Sequence, residues 1–120
     1  KGTPGILHGT KSLLLQDKTG QVSPVHSISA GVDYPGVAPE LSDWVQQKRI
    51  EVTCATDQEA LAACRWMALQ EGLIPALETA HAVAALQKPG LFRPNDVVVL
   101  CVSGRGDKDM ETIREYNVST

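Results

Sequence analysis

The stretch VVVLCVSGRGDKDM, residues 97–110, runs six apolar residues straight into Ser103-Gly104-Arg105-Gly106-Asp107-Lys108-Asp109. A run that is apolar at every position suits a strand covered on both faces, as in a parallel sheet flanked by helices. Ligands of such sheets bind beyond the carboxyl ends of the strands, and glycines there let the backbone approach where a Cβ would hold it off. Ser103 is the first polar side chain at that end. The same spacing suits a second reading, a strand-to-helix turn whose glycines only reverse the chain and whose Asp107 favours the next helix N-terminus. Arg105-Gly106-Asp107 also spells the integrin tripeptide, a motif too short to carry an argument.

Upstream of this stretch, Thr56-Asp57-Gln58-Glu59 has the S/T-x-x-E form of a capping box and predicts a helix over residues 57–71. Leu61, Cys64 and Ala68 recur at helical spacing, and Gly72 is placed to end the helix in a left-handed cap. Pro75 suits the start of a second helix through ALETAHAVAALQ, stopped at Lys88-Pro89-Gly90. RIEVTCAT predicts a strand over residues 50–55, residues 97–102 a second one, and residues 107–116 a last helix. Strand, helix, helix, strand reads as α/β with a parallel sheet and flanking helices. Two such strands are too few for a sheet covered on both faces. The chain is therefore expected to be a piece of a larger α/β protein that borrows neighbouring strands, and its opening on Lys1 rather than Met reads as processed, cut or excerpted.

Nearer the start, SLLLQDKTGQVSPV (residues 12–25) predicts a β-hairpin turning at Asp17-Lys18-Thr19-Gly20. HSISAGVDYPGVAPE (residues 26–40) carries Gly31, Pro35, Gly36 and Pro39, and predicts a loop of fixed dihedrals, with a short helix over residues 41–47 after it.

The 11 Lys+Arg against 14 Asp+Glu include no block of like charge, so nucleic acid is not an expected partner. No apolar run approaches the ~18 residues of a membrane span, and no signal-peptide core opens the chain, which points to a cytosolic or organellar protein. Cys54, Cys64 and Cys101 form no C-x-x-C pair and sit among apolar residues, so they are expected to be reduced core residues.

Within residues 76–86 only Glu78 and His81 can ionise. Glu78 reads either as a first-turn carboxylate favoured by the helix dipole or as a site carboxylate perturbed by burial. Its E-x-x-H step with His81 is the spacing of di-iron bundles, but a single copy in an α/β pattern argues against a metal, and His81 reads as a core histidine. Around Asp33, the Gly/Pro-rich loop could turn several carbonyls one way, as hard cations or a polar substrate require. His8 and His26 form no triad with any serine.

Taken together and in order, LLLQDKTGQVSPVHSISAGVDYPGVAPE, ATDQEALAA, EGLIPALETAHA and SGRGDKD resemble the C-terminal part of the tryptophan synthase β family, over essentially the whole chain. The resemblance implies part of the C-terminal domain of a fold-type II pyridoxal-phosphate enzyme, which joins indole to a unit derived from L-serine to give L-tryptophan. It implies that Ser103 meets the pyridine nitrogen of the cofactor, with Gly104 beside it. Glu78 is implied as the carboxylate that assists indole addition, and Asp33 as the one that closes over the serine-derived group. The carbonyls of Val32, Tyr34 and Gly36 would form part of a monovalent-cation site for Na or K. Leu7 and His8 would line the passage for indole arriving from an α subunit. The resemblance further implies the remainder of the β chain and a second β chain as partners, with a cytoplasmic or plastid location. Ala38 stands where the family usually has glycine. The lysine that binds the cofactor and the loop that cradles its phosphate lie upstream in the family, so these 120 residues alone are expected to be inactive. The other reading open to the sequence is a non-catalytic α/β module for an anionic ligand or a partner chain.

Overall fold

Residues 8 and 9 set the first turn. His8 and Gly9 both have positive φ, 50° and 76°, as a two-residue type I′ connection needs. They join β1 (Thr3–Leu7) to β2 (Thr10–Leu14) antiparallel, with Thr3 opposite Leu14 and Leu7 opposite Thr10. The chain is described here from a computed structural model over residues 2–117. It divides into two compact units between Val52 and Thr53.

The first unit's hairpin thus lies upstream of the expected one. The turn expected at Asp17 does form, because Asp17 Oδ1 accepts the Thr19 N–H at 2.8 Å, the Thr19 hydroxyl at 2.7 Å and the Gln21 N–H at 3.0 Å. Across it Gln16 and Val22 bridge antiparallel, the Asp17 N–H donates to the Gln21 carbonyl at 2.8 Å and the Ser23 N–H to the Leu15 carbonyl at 2.9 Å, so the expected hairpin forms but stays short. The Leu15 N–H is taken instead by the Pro35 carbonyl at 2.7 Å, and Leu14 bridges Gly36, so β2 is continued by the Gly/Pro-rich loop. A Cβ on Gly36 would stand 2.8 Å from Leu14 Cδ2. Behind this, buried Ser12 bonds the Val37 carbonyl and the Ser42 hydroxyl, and the Leu13 N–H donates to Ser42 Oγ at 3.0 Å. Ser42 lies on α1 (Pro39–Gln46), the expected short helix, which starts two residues earlier and ends one earlier. Ala38 caps it with φ −56°, an ordinary conformation that an alanine adopts without strain.

In the second unit α2 (Asp57–Glu71) has the expected bounds. Thr56 and Glu59 exchange both bonds of the capping box, and Gly72 closes the helix at φ 68°. α3 (Leu77–Leu86) follows after Pro75. The two helices approach through small residues: Ala60, Cys64 and Ala80 form one buried cluster, and Ala63, Met67, Val83 and Ala84 another. The buried face of α2 thus keeps the expected Cys64 but takes Ala60 and Met67 in place of Leu61 and Ala68, which are half-buried. Leu77 and Val83 are fully buried, each contributing about 1.5–3 kcal/mol by removal from water. A 3₁₀ turn, Gly106–Asp109, leads into α4 (Met110–Asn117), whose Ile113 packs on the first cluster.

Residues 50–55 and 97–102 join no ladder among the described residues, where the only sheet is the antiparallel hairpin. Val97 and Val99 are 94% and 92% exposed. A strand covered on both faces needs a paired neighbour to satisfy its backbone groups, and neither segment has one here. Each still touches the helical core, through Ala55 and Leu100. Their cysteines, Cys54 and Cys101, are exposed for the same reason, and only Cys64 is the buried thiol expected. No helix among the described residues is long and apolar enough to cross a membrane.

Candidate functional site

The exit of the apolar run lies against the start of α3. The Ala76 N–H donates to the Gly104 carbonyl at 3.0 Å, and the Gly106 N–H donates to the Ile74 carbonyl at 2.8 Å. Between these bonds Pro75 and Arg105 bridge antiparallel. The approach explains both glycines. A Cβ on Gly106 would stand 2.4 Å from the Pro75 carbonyl oxygen and 2.6 Å from Ile74 Cγ2, and one on Gly104 would stand 3.0 Å from Ala76 Cβ.

This pairing leaves a cleft of ≈ 440 Å³ lined by Leu73, Ile74, Pro75, Val102, Ser103, Gly104 and Arg105. Its polar side chains are Ser103 and Arg105. The Ser103 hydroxyl lies 3.3 Å from the hydroxyl of buried Thr79, in the first turn of α3.

Charges gather at the same turn. α3 has alanine at its N-cap and no side-chain bond from it. The missing acceptor comes from the next helical segment, as Asp109 Oδ2 takes the Leu77 N–H at 2.9 Å. Lys108 Nζ then spans two carboxylates, donating to Glu78 Oε2 at 3.0 Å and to Asp109 at 2.7 and 2.9 Å. Asp109, then Glu78, hold the Lys108 ammonium above the ordinary lysine value by hydrogen bonding to it. Burial, with a smaller contribution from Asp109, raises the Cys64 thiol above its ordinary value.

His81 does not converge with Glu78. Its Nδ1 bonds the Leu77 carbonyl at 2.7 Å, and its Nε2 lies 3.7 Å from Asp57 Oδ1. Its Nδ1 is satisfied as expected, but the side chain is half-buried rather than part of the core.

In the first unit, the hairpin turn meets the Asp33 loop. His8 Nδ1 lies 2.8 Å from the Tyr34 hydroxyl, with ring centroids 6.1 Å apart. Leu7, His8, Tyr34 and Gly36 share the wall of a cavity of ≈ 260 Å³. Val32 ends a 3₁₀ turn, Ala30–Val32, and Asp33 follows it, both exposed. Of the residues expected from the sequence, Ser103, Gly104 and Glu78 therefore gather in one unit, and Leu7, His8, Tyr34 and Gly36 in the other.

Residues 9–104 match the family described as pyridoxal-phosphate dependent enzyme. The chain belongs to that family. Among its curated relatives is the tryptophan synthase beta chain of Pseudomonas syringae pv. tomato, 51% identical over 96% of this chain. Those of Shouchella clausii and Staphylococcus aureus strain Newman are 51% and 49% identical over 95% and 98% of it. The chain spans only 28–30% of the length of these relatives. Membership in the pyridoxal-phosphate family agrees with the α/β class read from the sequence. The sequence reading missed Lys108, Asp109 and Thr79 at the site. The signal for Lys108 and Asp109 is the acid-base-acid triplet DKD behind the second glycine, which the sequence offers only as the start of a last helix.

Proposed function

We propose that the chain is the C-terminal part of a tryptophan synthase β chain, which condenses indole with L-serine to give L-tryptophan. The reading is supported by the 51% identity over 96% of the chain. The observation that carries it is a hydroxyl, that of Ser103, presented beside Gly104 to a largely apolar cleft at the end of the apolar run. Pyridoxal phosphate, when bound, withdraws electrons from the substrate carbon attached to it. The residues fit its ring: Ser103 offers a neutral donor and acceptor at the end of the apolar segment, and Gly104 lies beside it in the cleft wall. A neutral hydroxyl leaves a ring nitrogen unprotonated, which moderates that withdrawal. Glu78 handles the proton at indole addition, and Asp33 closes over the serine-derived group. The carbonyls of Val32, Tyr34 and Gly36 take a monovalent cation, Na or K, and Leu7 and His8 line the passage for indole.

The lysine that binds the cofactor and the cradle for its phosphate come from the remainder of the β chain, so residues 1–120 alone do not make tryptophan. The partners are an α subunit and a second β chain, in the cytoplasm or a plastid.

Absorption spectra after addition of L-serine test this in the full-length protein, with cofactor occupancy measured separately. Ser103→Asp places a carboxylate against the ring nitrogen, favours its protonation by a charge-assisted hydrogen bond, and shifts the distribution of bound species. Ser103→Ala leaves the nitrogen without a partner, at a cost of roughly 1–3 kcal/mol in a dry site. The two variants should differ in kind. Spectra identical to wild type for both, at equal occupancy, would mean that Ser103 does not touch the ring.

A further inference from the structure

We infer that Lys108 is a positioning residue for Glu78. The inference rests on the reading of Glu78 above and adds a residue to it. Lys108 Nζ lies 3.0 Å from Glu78 Oε2 and 2.7 Å from Asp109 Oδ1. Asp109 is itself fixed, since its other oxygen accepts the Leu77 N–H at the start of α3. The ammonium is thereby anchored to the same helix turn that carries Glu78, and the anchor does not depend on Glu78. A glutamate has three side-chain torsions, and Glu78 is 28% exposed. A fixed ammonium selects among its rotamers the one that places Oε2 on Nζ.

The arrangement follows from the chain path. Gly106 must lie against Pro75 for the 3₁₀ turn Gly106–Asp109 to begin beside α3. That turn delivers consecutive residues to the same helix end, Lys108 as the bridge and Asp109 as the cap acceptor.

A double-mutant cycle in the full-length protein tests the inference, with turnover, cofactor dissociation constant and urea midpoint measured for Lys108→Met, Glu78→Gln and the double variant. Lys108→Met should lower kcat roughly tenfold, the scale of one lost charge-assisted hydrogen bond. Cofactor affinity should be unchanged, and Lys108→Arg should restore most of the turnover. The double variant should be no slower than Glu78→Gln alone, because Lys108 has no role once the carboxylate is gone. A double variant whose loss is the product of the two single losses would overturn the inference. So would full turnover in Lys108→Met beside a slow Glu78→Gln, an outcome that leaves the reading of Glu78 standing. Full turnover in Glu78→Gln would remove that reading and the inference with it, even where the urea midpoints still show the pair to be coupled.

Discussion

Asp109 caps a helix that begins 32 residues before it in the chain: its Oδ2 takes the Leu77 N–H at 2.9 Å. A helix start leaves its first N–H groups without intrahelical partners, and a residue at the N-cap normally supplies an acceptor. Ala76 cannot do so. The consequence is that α3 and the segment after the apolar run stand or fall together.

Asp109→Ala should therefore destabilise the full-length protein by about 1 kcal/mol, the usual worth of a cap acceptor. Ala76→Ser, which offers a local acceptor, should recover part of the loss. Urea unfolding of the single and double variants checks both. Equal midpoints for wild type and Asp109→Ala would show that the bond contributes nothing.

The two glycines should differ in their tolerance of a methyl group. Gly106→Ala meets backbone oxygen and a branched side chain at sub-van der Waals distances, whereas Gly104→Ala meets one methyl group at 3.0 Å. Overpacking of this kind costs about 1–3 kcal/mol, so Gly106→Ala should be clearly the more destabilising of the two in thermal unfolding.

Acid should loosen α2 at its start. The Thr56 N–H, and then its hydroxyl, hold the Glu59 carboxyl below the ordinary carboxylate value by hydrogen bonding to it. A depressed folded-state pKa means that this stabilisation is present above the unfolded-state value and is lost as pH falls through the folded-state one. Glu59→Gln should flatten that acid limb in stability measured against pH, and an unaltered limb would contradict the assignment.

Gly72→Ala forces a side chain into the left-handed conformation at φ 68° with no steric neighbour to blame. The loss should be about 1 kcal/mol from backbone strain alone. Gly72→Asn, whose side chain tolerates that region better, should lose less in the same unfolding assay.

The parts of the fold legible in the sequence are those whose causes are local. Thr56 and Glu59 lie three residues apart and Gly72 needs only its own φ, so both ends of α2 are legible. The ladder of β1 and β2 is hidden because Pro4 and Gly5 sit inside β1 and mask the strand pattern, while the hairpin legible at Asp17 forms but stays short because the Leu15 N–H goes to Pro35. The apolar run at residues 97–102 shows the opposite limit: composition declares a buried strand, but pairing depends on partners the run does not name. At the site, Ser103, Gly104 and Glu78 were visible as motif residues. Lys108 and Asp109 were not, since their partners lie some 30 residues away and only folding reveals them.

The contact between Gly104–Gly106 and Ile74–Ala76 also decides where this protein can change length. Two hydrogen bonds in fixed register leave Arg105 pointing outward, with its side chain 89% exposed. One residue inserted between the glycines would turn a side chain toward Pro75 and push a Cβ into the space Gly106 vacates, while one deleted would draw Lys108 off both carboxylates. The loop around Gly90, exposed and left-handed at φ 77°, has no such registration. Insertions and deletions among homologues should collect there, and the seven residues from Ser103 to Asp109 should keep their count.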